Sequence, residues 1–216
     1  MILVASRYQL LDAARPTGPQ RARDLQTAQT VWLREARLPD GDDGAAAVDR
    51  AHAAKGIFHP SLVTLFDVMS LPGNRLLLAY EFVPAQPVAL ASAGQPFNPR
   101  RTAVIVSEIA DAVAELHARD VRHGGISTST VLLTMKGKAK LDRLADPSLH
   151  SLRDPDEARD LSDLAELLST LAGRQVAGGV VGAQALEAVL SRARRGLFES
   201  AATLASMLRR VGEDRP

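Results

Sequence analysis

An α+β fold is predicted for this 216-residue chain from three observations. Short strand-like pieces separated by turn signals fill the front half. Amphipathic helical periods recur from residue 101 to residue 210. Between them, Pro84 to Pro99 holds four prolines, a composition that suits a connector between two lobes.

Tyr8-Gln-Leu-Leu, the turn-like stretch Asp12 to Gly18, and Thr30-Val-Trp-Leu-Arg34 predict paired antiparallel strands, with Met1-Ile-Leu-Val as a first strand or structured leader. Asp40-Gly-Asp-Asp-Gly44 predicts a loop. Ala45 to Lys55 has the propensity of a helix, with Pro60 at a sensible stopping distance. Leu62–Val68 and Arg75–Val83 are expected strands joined at Leu71-Pro-Gly-Asn, a strong turn signal. Val104, Ile105, Ile109, Val113 and Leu116 form one stripe of a helix over Arg101–His117. Val131-Leu-Leu-Thr and Lys138-Ala-Lys-Leu flank Met135-Lys-Gly as a hairpin. Helices follow over Asp160–Leu171, Ala183–Arg194 and Ser200–Arg210, separated at Gly178-Gly179 and Gly196, with Ser200 capping the last. Val211 to Pro216 is expected to be a tail or the start of a linker.

Composition excludes several functions. With 46% hydrophobic residues the chain can bury a sizeable core, and a net charge of +1 supplies no global field toward nucleic acid or an acidic membrane. Cysteine is absent, which removes disulfides, thiolate zinc sites and thiol nucleophiles and is compatible with either redox compartment. The five histidines, at 52, 59, 117, 123 and 150, lack metal-ligand spacing, so no metal site is expected. No apolar run reaches the roughly 18 to 20 residues of a spanning helix, and the first residues are too short for a signal peptide. A cytoplasmic location is expected, including the case of a cytoplasmic part of a membrane protein. Arginine outnumbers lysine 22 to 4, which reads as base composition more than function.

The segment Leu116-His-Ala-Arg-Asp-Val-Arg-His-Gly-Gly-Ile-Ser-Thr-Ser-Thr-Val-Leu-Leu133 resembles the catalytic loop of the bacterial, actinobacterial-like Ser/Thr protein-kinase family. Colinear pieces extend the resemblance to about residue 145. Arg21 to Arg34 is similar to the end of the glycine-rich loop and the Val-Ala-Ile-Lys strand. His59-Pro-Ser-Leu-Val-Thr-Leu-Phe-Asp-Val resembles the segment after helix C, and Leu77-Leu-Leu-Ala-Tyr-Glu-Phe-Val-Pro the hinge strand, with Tyr80 as gatekeeper. The resemblance implies a two-lobed kinase-like fold. Its N-lobe, an antiparallel sheet plus helix C, would span 1–84, a reduced helical C-lobe 85–211, and a tail or linker start 212–216.

A working kinase needs amides around the phosphates, a Lys held by a Glu, an Asp base, and an Asp and an Asn for Mg. Here the resemblance puts Gly125 at the catalytic Asp, Thr130 at the Mg-binding Asn and Arg34 at the Lys. Arg50 falls at the helix C Glu, with Asp49 and Glu35 as close alternatives. Arg143-Leu-Ala replaces Asp-Phe-Gly, with Asp142 one register step away. The loop Leu11 to Pro19 has one glycine and two prolines, which donate no amides. Between Leu144 and Asp160 there is little room for an activation segment, so that segment and the C-lobe are expected to be reduced. Asp160 matches the family's structural Asp in helix F, and His123 its structural loop histidine. Phosphoryl transfer is therefore not expected, and no cofactor is.

Arg34, Arg50 and Arg143, with Tyr80 and Asp142, are candidates for an anion or nucleotide cleft. The bland alternative is arginines paired with carboxylates or turned to solvent. Ser127, Thr128, Ser129 and Thr130 are candidate phosphorylation sites, or a loop whose hydroxyls satisfy local backbone groups. Trp32 is expected to be a core or inter-sheet anchor. The leading expectation is a non-catalytic pseudokinase domain that scaffolds or regulates a protein. The resemblance implies a partner such as a Ser/Thr kinase or a forkhead-associated domain that reads phosphothreonine. A nucleotide-binding switch without phosphotransfer, and a transferase with other chemistry in the same cleft, are the alternatives.

Overall fold

A computed structural model describes residues 2–12, 18–93, 97–149, 156–173 and 182–213, and shows an α+β fold. The chain divides into two compact units. One gathers Met1–Phe58, Val63–Val83 and Arg143–Ser151; the other gathers His59–Leu62, Pro84–Asp142 and Leu152–Pro216.

The first unit is built on an antiparallel sheet of six strands: β1 (Leu3–Val4), β2 (Tyr8–Leu10), β3 (Gln20–Asp24), β4 (Thr30–Arg37), β5 (Leu65–Leu71) and β6 (Arg75–Glu81), in the order β1-β2-β3-β4-β6-β5. Alternation in β4 sends Val31 and Leu33 to one face, where they meet Tyr8, Ala22, Leu77 and Ala79 in a buried cluster. β6 is buried on both faces, which is why it appears as the unbroken apolar run Leu76 to Tyr80. The turn between β5 and β6 uses Gly73 and Asn74 at positive φ, as its Pro-Gly-Asn sequence requires. Helix α1 (Asp42–Ala54) buries Ala47, Ala51 and Ala54, one stripe at helical spacing.

Charge ties the ends of this sheet together. Arg7, in the turn just before β2, donates from Nε and Nη2 to the Asp24 carboxylate at 2.9 and 2.7 Å and from Nη1 to Asp67 on β5 at 2.5 Å. Lys55 reaches the other oxygen of Asp67. The hydrogen bond from Arg7, with those of Gln26 N and Thr27 Oγ1, holds the Asp24 carboxyl well below the usual range. Burial pushes the neighbouring Tyr8 phenol up to about 12, although the charge of Arg7 opposes it. The turn before β2 is thus bridged to β5, the last strand in the sheet order.

The second unit centres on helix α3 (Pro99–His117). Asn98 caps it by accepting from Arg101 N at 2.8 Å, and Pro99 sits at the first helical position, where no amide is needed. Ile105, Ile109, Val113 and Leu116 are fully buried on its stripe, each contributing about 1.5–3 kcal/mol of transfer free energy. Glu108 on α3 accepts from Ala139 N and from Lys138 Nζ, which docks the hairpin of β8 (Val131–Thr134) and β9 (Ala139–Leu141). Helices α4 (Glu157–Ala172), α5 (Ala183–Arg194) and α6 (Ala201–Glu213) complete the unit, and Ser200 Oγ accepts from Thr203 N to cap α6.

Several expectations are corrected. The connector Pro84 to Pro99 is not irregular throughout: β7 (Ala85–Pro87) pairs with β8, and a short helix α2 (Val88–Ser92) follows. Its prolines fit because Pro87 ends an edge strand and Pro99 begins a helix. Helix α1 starts at Asp42 inside the expected loop, because Asp42 and Asp43 complement the positive end of the helix dipole. Leu62 lies outside β5 and instead bridges Leu141. Helix α6 runs through Val211, which is buried, to Glu213 where a tail was expected. Residues 13–17 of the loop between Leu11 and Pro19, most of the short stretch before α4 (150–155), and Gly178-Gly179 lie outside the described residues. Among the described residues no helix is long and apolar enough to cross a membrane.

Candidate functional site

Residues 118 to 130 leave α3 and return to β8 as a loop held from beneath by α4. Asp156 caps α4 by accepting from Arg159 N, which sets Asp160 on the first turn, with its carboxylate fully buried. Its Oδ1 accepts from Gly124 N at 2.7 Å, and its Oδ2 accepts from His123 N at 3.0 Å. His117 Nε2 lies 2.9 Å from the same Oδ2, and since an ionised carboxylate only accepts, His117 is the donor. Burial alone would push the Asp160 carboxyl up. The hydrogen bond from His117, the nearby His123 ring and the two amides outweigh it and hold Asp160 below its ordinary value.

One turn along α4, Asp163 Oδ2 accepts from Ile126 N at 3.0 Å. Burial pushes this carboxyl up, and the amide of Ile126 does not offset it. Two aspartates of α4 therefore hold the amides of residues 123, 124 and 126. Gly125, between them, offers no side chain. Gly124 takes φ of +71°, a conformation that costs other residues roughly 1–2 kcal/mol.

Thr130 closes the loop from the other side. Its side chain is buried, and Oγ1 donates to the Gly125 carbonyl at 2.9 Å while accepting from Ser127 N at 2.9 Å. Ser127 Oγ and Ser129 Oγ lie 2.9 Å apart. Of the four neighbouring hydroxyl residues, Ser129 is exposed, Ser127 and Thr128 are half-buried, and Thr130 is inaccessible. The buried His123 ring hydrogen-bonds from Nε2 to the Asp142 carbonyl at 2.9 Å, and Asp142 N donates to the Thr130 carbonyl, so loop and β9 exit are stitched together. The Asp142 side chain is half-buried and engaged.

Arg34, Arg50, Tyr80 and Arg143 belong to the other unit. Tyr80 is fully buried, and its hydroxyl donates to the Leu144 carbonyl at 2.8 Å. Arg143, at φ +67°, donates from Nε to Asp146 Oδ2 at 2.9 Å and from Nη2 to Ser148 Oγ at 2.6 Å. Asp146 also accepts from Ser148 N and Ser148 Oγ, capping the short 3-10 turn Pro147–Leu149. Burial opposes its ionisation, but the Ser148 hydrogen bonds and Arg143 hold the carboxyl below its ordinary value. Arg34, on β4 opposite Leu78, and Arg50, on α1, are half-buried, and both are engaged in interactions. Trp32, two residues before Arg34, packs its ring at 5.3 Å from Phe82, over which the Arg21 guanidinium lies at 6.0 Å.

Asp146 and Asp163 were not singled out from the sequence. The signal for Asp146 was present in Asp146-Pro-Ser, the pattern of a capping residue before a helical proline. Asp163 had only its spacing of three from Asp160, which places both on one helix face. Among the described residues no group of three or more His, Asp or Glu side chains could hold a metal ion.

No family model matches the chain. Over 120 residues it is 23% identical to serine/threonine-protein kinase pkn2 of Myxococcus xanthus, covering 56% of this chain and 14% of that protein. Over 114 residues it is 29% identical to mitogen-activated protein kinase 15 of Caenorhabditis elegans, covering 52% of this chain and 24% of that protein. The matched region is thus a minor part of either relative. The homology is weak and partial, and it points to the protein-kinase-like superfamily.

Proposed function

We propose that the chain is a catalytically inactive, two-lobed kinase-like domain with a reduced activation segment and a compressed C-lobe. In this reading it acts as a protein-binding scaffold or regulator in Ser/Thr-kinase signalling. The observation that carries the reading is the loop around Gly125. Its support is elaborate: Asp160 and Asp163 hold three of its amides, and Thr130 holds its carbonyl. At its centre, where the family resemblance places the base, stands a residue with no side chain. Such a loop keeps its shape while position 125 offers no group to take a proton from a hydroxyl.

The residues also fit poorly to a nucleotide with Mg. Thr130 occupies the position of a metal-binding amide, and its only oxygen is committed to Ser127 and Gly125. In the Val-Ala-Ile-Lys strand of the family an Ala precedes the Lys by two residues. Here that position is Trp32, an indole where the family has a methyl group. Arg143 is engaged by Asp146 and Ser148 and so lacks the character of a phosphate-seeking cation.

The partner proposed is a protein of the same signalling chemistry, a Ser/Thr kinase or a forkhead-associated domain. The test is incubation of the chain with labelled ATP and Mg or Mn, alone and with general protein substrates. Label no greater than in a heat-denatured control is expected. Transfer by the native chain that Gly125→Asp does not alter would overturn the reading.

A further inference from the structure

We propose that Lys136, at the tip of the β8–β9 hairpin, is a modification site that accepts an activated acyl group, a thioester or an acyl phosphate. The chain has four lysines, and three of them fall within residues 136–140. The lysines other than Lys136 are held by the fold. Lys55 Nζ donates to Asp67 Oδ1 at 2.5 Å, Lys138 Nζ to Glu108 Oε1 at 2.9 Å, and Lys140 Nζ to the Leu62 carbonyl at 2.8 Å. Lys136 is exposed, and no described residue hydrogen-bonds or ion-pairs with it. The arginines, which carry nearly all the remaining positive charge, stay protonated and are not acylated by such donors.

The hairpin presents Lys136 on a fixed tip. Gly137 N donates to the Thr134 carbonyl at 2.8 Å and Thr134 N to the Lys138 carbonyl at 3.0 Å, closing the turn with Gly137 at φ of +72°. Arg101 on α3 donates to the Gly137 carbonyl, and Glu108 accepts from Ala139 N, so the tip is anchored to that helix. Neighbouring Met135 is 94% exposed, which leaves the approach to the amine open. In the step itself Nζ, in its neutral form, attacks the acyl carbonyl carbon. The C–N bond forms as the bond from that carbon to sulfur or to phosphate oxygen breaks. The thiolate or phosphate leaves, the amine proton passes to solvent, and one positive charge is erased. At Lys55 that loss would strip a cation from Asp67, whose side chain is only 13% exposed. At Lys138 it would remove one of the two donors that hold Glu108 to the hairpin. At Lys136 no bond of the fold is broken, so the charge of the tip changes while the structure stays.

The test is incubation of the intact chain with acetyl phosphate and, in parallel, with acetyl-coenzyme A, following acetylation at each lysine over time by peptide mass spectrometry. In the native chain Lys136 is expected to react about tenfold faster than Lys55 and Lys140, whose ammonium groups are tied to buried acceptors. Its lead over Lys138 should be about threefold, since an exposed ion pair is a weak tether. In urea the four rates should converge, because the fold and not the local sequence sets the order. Labelling of Lys136 by either donor supports the site and identifies the donor class. Lys136→Gln, which imitates the acylated side chain, should keep the native urea midpoint, while Lys138→Gln should lower it. No label at Lys136 from either donor, equal rates in the native chain, or an order unchanged in urea would overturn the site. So would a midpoint lowered as far by Lys136→Gln as by Lys138→Gln.

Discussion

The backbone N–H of Gly124 donates to the buried carboxylate of Asp160 at 2.7 Å, one residue before the glycine at the centre of the loop. The loop's backbone is thus held by a side chain 36 residues away, independently of anything at position 125. Asp160→Ala would orphan two buried amides and the His117 ring, a cost of about 3–5 kcal/mol. Urea unfolding should report that loss, with Asp160→Asn intermediate because an amide oxygen can still accept from one donor.

Thr130→Val tests the other support. The substitution keeps the shape and removes the oxygen that joins Ser127 N to the Gly125 carbonyl, so a loss of about 1–3 kcal/mol is expected in urea. Thr130→Asn, the residue of the family pattern, should also destabilise and should not create Mg-dependent nucleotide binding in a calorimeter.

Acid should unfold the protein through a definable set of carboxylates. Asp24, Asp67, Asp146 and Asp160 all lie below their ordinary value of 3.8 when folded. Each binds its proton more weakly in the folded than in the unfolded chain. Its stabilisation is therefore complete above about pH 3.8 and is lost as pH falls through the folded value. Asp163 is raised and acts oppositely, its contribution being lost as pH rises from 3.8 through its folded value. Urea unfolding at a series of pH values should show stability falling steeply below about pH 4. In Asp24→Asn, which also strands the Arg7 guanidinium, stability should be lower by about 3 kcal/mol at neutral pH and the acid slope shallower.

Tyr80→Phe removes a buried hydroxyl and leaves the Leu144 carbonyl without that donor, so a loss of about 1–2 kcal/mol is expected. Tyr80→Ala should cost about 3–5 kcal/mol, because the fully buried ring would leave a cavity. Comparing the two separates the hydrogen bond from the packing.

Local patterns in the sequence carried most of the fold. The periodicity of α3, the boundaries of α5 and the Pro-Gly-Asn turn each depend on residues within one or two turns of each other. Long-range pairing did not show. Arg7 and Asp67 are 60 positions apart, and nothing in either neighbourhood marks them as partners. In the loop, Gly125 and Thr130 were legible as departures because a family pattern supplied the expected residues. The part played by Thr130 was not, since a threonine in a hydroxyl-rich stretch can point to solvent or close a turn with equal local cost. Asp163 stayed hidden for the same reason: its partner, Ile126 N, is a backbone group with no sequence signature.

The most direct test of the scaffold reading is calorimetric titration of the chain with ATP and ADP, each with and without Mg. No saturable heat is expected under any of the four conditions. Saturable, Mg-enhanced binding that is lost in Arg34→Ala or Asp142→Ala would contradict the scaffold reading and make the chain a nucleotide-responsive switch.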